Sequence, residues 1–305
     1  MNKHLHIDTL CVQAGYNPGK GEPRQVPIIQ STTFKYETSE QMGRLFDLEE
    51  SGYFYTRLQN PTNDHAAAQI TALEGGVAGM LTCSGQAANF FACFNICQAG
   101  DHMISTTSIY GGTYNLIGVT FPKMGIEVTF IDQDASDEEW EKAFKANTKL
   151  VFGETLSNPN VRILDIERIA GIAHKHGVPL IVDNTFPTPV NCRPIEWGAD
   201  IVTHSTTKYM DGQGVQVGGA IVDSGNTALK SGNLCGYGIV GRILKTGIEI
   251  SFCFKVEKLA HIVACIILKS GALVNGKLTG LALLRLPAFV DALGFDSHTG
   301  VSLFI

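Results

Sequence analysis

A regular alternation of short apolar segments with helix-like segments, between residues 79 and 222, is the feature that most constrains the fold. A strand, a helix and a second strand in succession predict a βαβ unit, in which the two strands run parallel. Repeated units of this kind form a mainly parallel sheet with helices on both faces, which is the α/β class. The predicted strands are 79–83, 102–105, 126–131, 150–154, 180–183, 201–204 and 217–222, and the predicted helices are 85–98, 114–123, 137–145 and 166–176.

The segments on either side of this alternation follow other patterns. Residues 1–60 contain polar, aromatic and proline-punctuated stretches with little helical periodicity, which predicts an extended N-terminal arm. Residues 61–226 form the predicted α/β domain. Residues 227–305 contain apolar stretches without clean caps or a clean period, and they are interpreted as an atypical C-terminal region.

Two candidate ligand-binding segments follow predicted strands, and ligands of open α/β sheets bind at the carboxyl ends of the strands. Ser84, Gly85 and Gln86 open a predicted helix directly after strand 79–83. Small residues and the free N–H groups of a helix N-terminus favour an anion such as phosphate, although Ser-Gly is also typical of ordinary helix capping. Asp183 ends the fifth predicted strand, where its carboxylate can either keep a pyridine nitrogen protonated or cap a turn.

Two further segments follow strands at the same predicted edge. Strand 201–204 runs into Ser205, Thr207 and Lys208. Hydroxyl groups suit a phosphate, and an amine this close can reach a ring that the phosphate anchors, whereas a solvated surface lysine is the alternative. Tyr110 follows the second predicted strand and can stack on a flat ring, although a core or interface tyrosine explains it equally well.

One ligand accounts for all four segments, namely a planar ring that carries a phosphate, a basic nitrogen and an aldehyde. The same residues resemble the Cys/Met-metabolism enzymes that depend on pyridoxal 5′-phosphate (PLP), whose fold is of the aspartate-aminotransferase type. The resemblance covers residues 5–226 and implies a three-layer, mainly parallel sheet with Lys208 as the Schiff-base lysine. It implies catalytic roles for Lys208, for Asp183 as partner of the ring nitrogen and for Tyr110 as the stacked ring. The cofactor contacts implied by the same resemblance are Gly85, Gln86, Ser205 and Thr207 at the phosphate, and Asn158 near the phenolic oxygen.

Tyr55 and Arg57, in the arm, match a pair that in this family reaches the phosphate of the neighbouring subunit. The fixed fork of donors on an arginine suits that contact. The resemblance therefore implies a homodimer or homotetramer with sites shared between subunits.

Within the family, residues 109–115 and 208–212 most resemble the O-acetylhomoserine sulfhydrylases. Gly112 stands where methionine γ-lyases carry cysteine, whereas Gln213 stands where the sulfhydrylases usually carry histidine. The implied activity is γ-replacement on O-acetylhomoserine by sulfide or methanethiol, which gives homocysteine or methionine. A γ-lyase of the same family, acting on cystathionine or methionine, is one alternative.

The second alternative is an inactive PLP-binding fragment, and the reason for it is the unusual sequence of residues 227–305. The family's second domain supplies an arginine that grips the substrate α-carboxylate, and no counterpart can be placed here. Arg242 and Arg285 are the arginines of this region, and neither lies in a matching motif.

Composition bears on partners and compartment. The net charge of −6 argues against a nucleic-acid or anionic-membrane partner, because both require a basic surface. Eight scattered cysteines without a Cys-x-x-Cys pair, and a start without an apolar signal stretch, predict a reducing cytoplasm. Cys93 and Cys97 lie one helical turn apart and are interpreted as core thiols rather than as half of a metal site.

Overall fold

The structure is a computed structural model that describes residues 5–47 and 49–226, so the predicted region 227–305 lies outside the described residues. The helices are α1 Ile7–Gln13, α2 Ser39–Phe46, α3 Pro61–Glu74, α4 Gly85–Ile96, α5 Gly111–Asn115, α6 Phe121–Lys123, α7 Asp137–Ala143, α8 Ile166–Lys175 and α9 Thr188–Asn191. The strands are β1 Ala78–Thr82, β2 His102–Thr106, β3 Glu127–Ile131, β4 Thr148–Glu154, β5 Leu180–Asp183, β6 Ile201–His204 and β7 Gly219–Asp223.

The seven strands form one sheet in the order β1-β7-β6-β5-β4-β2-β3. All neighbouring pairs from β6 to β3 are parallel, whereas β7 is antiparallel to both β6 and β1. Two antiparallel steps restore the direction, so β1 runs parallel to β6. Six of the seven strands therefore end at one edge of the sheet, and the predicted mainly parallel α/β fold is confirmed.

Side chains from alternate positions of the strands build two separate cores, one on each face. Ile181 of β5 packs on the face covered by α4, and its neighbour Val182 packs on the face covered by α7 and α8. The period of two follows from the pleat of a strand, and a strand buried on both faces is therefore apolar at successive positions. Each fully buried side chain of this size stabilises the fold by about 1.5–3 kcal/mol.

Helix α3 is missing from the sequence-based prediction, although its ends carry ordinary boundary residues. The Asn60 side chain accepts from the Thr62 N–H at 2.9 Å, and Gly75 ends the helix with φ of 76°. The side that packs on β1 is made of small residues rather than an apolar stripe, since a Cβ on Gly79 would lie 2.4 Å from the Thr71 hydroxyl oxygen. Because the buried side of α3 has small residues instead of large apolar ones, the helix lacks the apolar periodicity on which a sequence-based prediction depends.

The arm differs from the predicted extended chain because it contains α1 and α2. Its remaining residues are mostly irregular and include an isolated bridge between Thr33 and Tyr55. The helix predicted at 114–123 begins earlier, at Gly111, and passes through a π-helical turn at Leu116–Thr120 before α6.

Cys93 and Cys97 are both buried in the core on the α4 face, and burial raises the pKa of each thiol. In the part of the chain that the structure describes, no three His, Cys, Asp or Glu side chains cluster in a way that suits a metal ion. Over the same residues, no helix is long and apolar enough to cross a bilayer.

Candidate cofactor site

The predicted site residues of the α/β domain follow strand ends at one edge of the sheet. Because β1, β2, β4, β5 and β6 run in the same direction, their carboxyl ends meet there. The residues concerned are Gly85 and Gln86 after β1, Tyr110 after β2, Asn158 after β4, Asp183 at the end of β5, and Ser205, Thr207 and Lys208 after β6.

The N-terminus of α4 lies directly against the turn that follows β6. The Ser84 hydroxyl caps the helix by accepting from the Ala87 N–H at 3.1 Å. A Cβ built on Gly85 would lie 2.4 Å from the Ser205 Cβ, so only glycine allows this approach. The first N–H groups of a helix have no partner within it, and here they lie beside a hydroxyl residue, which suits an anion.

Asp183 is held by donors from two other elements. Its Oδ1 accepts from the backbone N–H and the hydroxyl of Thr185, at 3.0 and 2.5 Å. Its Oδ2 accepts from the Asn89 side-chain amide of α4 at 3.0 Å. These three donors fix the orientation of the carboxyl group at the end of β5.

The same network joins Asp183 to the turn after β6. The Thr185 hydroxyl oxygen also accepts from the Ser205 N–H at 2.8 Å. On the other side, buried Thr203 donates its hydroxyl to the Asn89 side-chain oxygen at 2.6 Å. Both contacts fix the carboxylate relative to β6, where Lys208 follows, so the predicted anion loop, carboxylate and lysine turn form one connected site.

Lys208 lies on the exposed side of the turn, and its backbone N–H donates to the Ser205 carbonyl at 3.3 Å. Thr207 is bonded to the loop before β7, because its hydroxyl donates to the Gly218 carbonyl at 3.2 Å and accepts from the Gly218 N–H at 3.0 Å. The predicted phosphate contact of Thr207 therefore requires that hydroxyl to exchange or share its partners.

Tyr110 presents its ring to solvent, with half of the residue exposed, as a side chain that stacks on a ligand requires. The ring leans over Gly112, where an added Cβ would lie 2.6 Å from the Tyr110 Cε1 atom. A larger residue at 112 would have to displace the ring.

Glu154, at the end of β4, is a site residue that the sequence analysis missed. Its Oε1 accepts from the Tyr110 N–H at 2.8 Å, and its Oε2 accepts from the Asn158 N–H at 3.3 Å. The side chain lies beside Asp183, since Glu154 and Asp183 are paired in the parallel register. Burial and, secondly, the charge of Asp183 raise the pKa of Glu154 to about 8.

This raised pKa predicts that the cofactor-free protein loses stability as the pH rises. The carboxyl keeps its proton up to about pH 8 when folded but releases it near 4.5 when unfolded, so the folded state binds more protons within that window. The free energy of unfolding should therefore fall across the window, as measured by urea denaturation. A Glu154→Gln variant should show a shallower fall, because the other titrating groups are unchanged, and an identical slope would contradict the assignment.

Tyr55 and Arg57 form their own pair in the arm. The Arg57 guanidinium lies over the Tyr55 ring, 4.6 Å from its centroid. No hydrogen bond or ring contact within the described residues joins this pair to the site at the sheet edge. Their predicted role at a neighbouring subunit's phosphate stays a prediction.

Asn89 and Thr185 are two further residues that the sequence analysis did not select. Thr185 follows Asp183 by two positions, a spacing typical of a side chain that turns back on a carboxylate, so a local signal was present. Asn89 is a polar residue among the apolar positions of α4, and a buried polar side chain requires a partner. Nothing local identified that partner as Asp183, which lies 94 positions further along the chain.

These residues fit PLP. The start of α4 at Gly85 lies against Ser205, the carboxyl group of Asp183 ends β5, and an accessible lysine and tyrosine follow neighbouring strands. The fold is that of the PLP-dependent enzymes of fold type I, as predicted.

The chain belongs to the Cys/Met metabolism PLP-dependent enzyme family, whose model matches residues 8–245. PLP is the cofactor of that family, as the sequence predicted. The family match continues beyond residue 226, where the recognisable motifs end.

Two curated relatives and one solved structure illustrate the similarity. The homocysteine/cysteine synthase of Saccharomyces cerevisiae is 47% identical over 224 residues, which cover 72% of this chain and 50% of that protein. The O-acetyl-L-homoserine sulfhydrylase of Leptospira meyeri is 43% identical over 227 residues, covering 74% of this chain and 51% of that protein. A Campylobacter jejuni crystal structure that contains N′-pyridoxyl-lysine-5′-monophosphate has a TM-score of 0.69 and 40% identity, covering 72% of this chain and 54% of that one. The chain thus spans about half the length of the curated relatives it matches.

Proposed function

We propose that this protein catalyses γ-replacement on O-acetylhomoserine, with sulfide or methanethiol as the incoming nucleophile. The observation that carries the proposal is the connected site, in which the Gly85 loop touches Ser205 and Ser205 is joined through Thr185 to Asp183. The relatives named as homocysteine synthase and O-acetylhomoserine sulfhydrylase support this choice of reaction. An amino-acid substrate is consistent with the family.

We assign the cofactor contacts as follows. The N–H groups of Gly85 and Gln86, with the Ser205 and Thr207 hydroxyls, bind the phosphate, and the Lys208 amine holds the aldehyde carbon. Asp183 keeps a proton on the ring nitrogen, Tyr110 covers the ring face and Asn158 donates to the phenolic oxygen. When bound, PLP supplies a carbonyl carbon that combines with an amine and a cationic ring that withdraws electrons from the substrate.

Lys208 then carries out the proton transfers. With PLP bound and the substrate amine in its place, the free amine of Lys208 would take a proton from Cα, give it up, and then take a proton from Cβ as acetate leaves from Cγ. Sulfide or methanethiol would bond to Cγ with loss of its own proton, and the protonated Lys208 would return protons to Cβ and Cα, which gives homocysteine or methionine. The exposed position of Lys208 on a turn suits this work, because the same amine must reach two successive carbon atoms.

The test is an assay of the purified chain, loaded with PLP, with O-acetylhomoserine and sulfide. We expect stoichiometric homocysteine and acetate, with little product when sulfide is left out. Formation of α-ketobutyrate and ammonia without a thiol would instead establish a γ-lyase. Tight cofactor binding without either reaction would contradict the proposed activity and leave the cofactor site intact.

We propose further that the working unit is a homodimer or homotetramer, in which Tyr55 and Arg57 of one subunit contact the phosphate held by its neighbour. The pair supports this role because the guanidinium is pre-oriented on the Tyr55 ring. We place the protein in the cytoplasm, and the five cysteines of the described residues, all free thiols, suit a reducing compartment.

A further inference from the structure

Two of the proposed cofactor contacts lie on separate loops, and one buried carboxyl group touches both. Tyr110 follows β2, and Asn158 follows β4, the strand beside it. Glu154 accepts from the backbone N–H of each residue, with a different oxygen for each, at 2.8 and 3.3 Å. Only 5% of Glu154 is exposed, so neither loop can exchange this contact freely for water.

We propose that Glu154 is a positioning residue for PLP, which sets the Tyr110 ring and the Asn158 side chain at the distance that the cofactor ring requires. The inference rests on the proposed cofactor site and is independent of which substrate is used. Glu154 itself touches backbone atoms, so it acts through the two residues whose main chain it holds.

The chemistry of the side chain explains why a carboxyl group stands here. Two N–H donors that converge from different loops require two acceptor oxygens, and among side chains of this length the carboxyl group provides them. A glutamine at 154 keeps one acceptor and turns an amide donor toward the second N–H, whereas an alanine removes both acceptors. A buried N–H without an acceptor is unfavourable, so the corresponding loop shifts.

The raised pKa of Glu154 agrees with this role. Burial and, secondly, the charge of the neighbouring Asp183 disfavour ionisation of Glu154. Two acidic side chains next to each other at a strand end do not favour stability. Such unfavourable arrangements are typical of sites that are shaped for a ligand.

The same two loops are joined by a second contact, which could hold them in place without Glu154. The Arg162 guanidinium donates to the Ser108 hydroxyl at 3.1 Å, which also links the loop after β4 to the loop after β2. If that outer link is sufficient, the loss of Glu154 will leave the cofactor contacts in place.

The experiment compares the affinity of cofactor-free wild-type, Glu154→Gln and Glu154→Ala chains for pyridoxine 5′-phosphate, which has no aldehyde and so cannot bond to Lys208. Fluorescence titration should show about tenfold weaker binding by Glu154→Ala, with Glu154→Gln between the two, because glutamine restores one acceptor. Such partial rescue is not expected of a residue that affects only stability.

The matched control is Asp200→Asn, at the opposite edge of the sheet. Asp200 is also a buried carboxylate that accepts a backbone N–H, from Leu180 at 2.8 Å. This variant should lose thermal stability but bind the probe within about twofold of wild type. Wild-type affinity in a folded Glu154→Ala or Glu154→Gln chain would overturn the inference, and so would an equal loss in Asp200→Asn. A wild-type chain that binds neither PLP nor the probe would instead refute the cofactor site itself.

Discussion

A Lys208→Ala chain is expected to lose turnover of O-acetylhomoserine by more than about 10³-fold and to lose the covalent link to PLP, because one amine provides both the attachment and the proton transfers. The phosphate contacts at Gly85 and Ser205 remain, so the variant should still bind the cofactor weakly. Borohydride reduction followed by peptide mass analysis should find the cofactor on Lys208 of the wild type and on no lysine of the variant.

The control for that experiment is Lys175→Ala. Lys175 is an exposed lysine at the end of α8, and its amine lies 3.7 Å from Glu141. This variant should keep both the link and the activity, since exposed ion pairs contribute little to stability. A Lys208→Ala chain with the wild-type yellow absorbance, or with the label on another lysine, would show that the attachment is misassigned.

Complementation tests whether the inactive Lys208→Ala chain is otherwise intact. If sites are shared between subunits, an Arg57→Ala chain lacks a phosphate contact in its neighbour's site but retains its own lysine. Hybrids of the two chains then regenerate one site with both groups, and mixing should restore activity above that of either parent. Hybrids that form but stay inactive would contradict the shared site.

The second large effect is expected from Asp183→Asn. The amide keeps the shape and can still accept from Thr185, but it has no charge to hold a proton on the ring nitrogen. Removing one preorganised electrostatic contact that acts in the transition state costs about 2.7–4 kcal/mol, or about 10²–10³-fold in kcat. Because the ring withdraws electrons in the transition state, kcat should fall far more than the affinity for PLP.

Steady-state kinetics of the reconstituted variant measure this effect, and Asp200→Asn again serves as the control. Asp183 and Asp200 flank the same pair of strands, β5 and β6, at opposite edges. A small change in kcat for Asp183→Asn, or an equal change for Asp200→Asn, would mean that the charge at 183 does not act on the ring.

Much of the α/β domain could be predicted from the sequence because its determinants are local. A strand buried on both faces is a continuous apolar run, as at 180–182. The start of helix α7 is recognisable from four adjacent residues, the N-cap Ser136 and the three acidic residues that follow it. Lys208 and Asp183 were accessible to the same reasoning. Asp183 ends such a run and Lys208 follows another within four residues, and parallel strands bring their carboxyl ends together whatever the strand order.

Other features arise only from contacts between distant parts of the chain. The antiparallel direction of β7 follows from its pairing with β1, about 140 positions earlier, and an apolar strand reads the same in either direction. Glu154 was a polar end to a strand until folding brought the Tyr110 N–H, 44 positions away, onto its carboxyl group. The hydrogen bond from Asn89 to Asp183 likewise forms only in the folded chain. Local periodicity does not identify partners that are distant in the sequence. The sequence therefore predicted which segments lie at this edge of the sheet, and only the tertiary structure showed which side chains hold those segments in place.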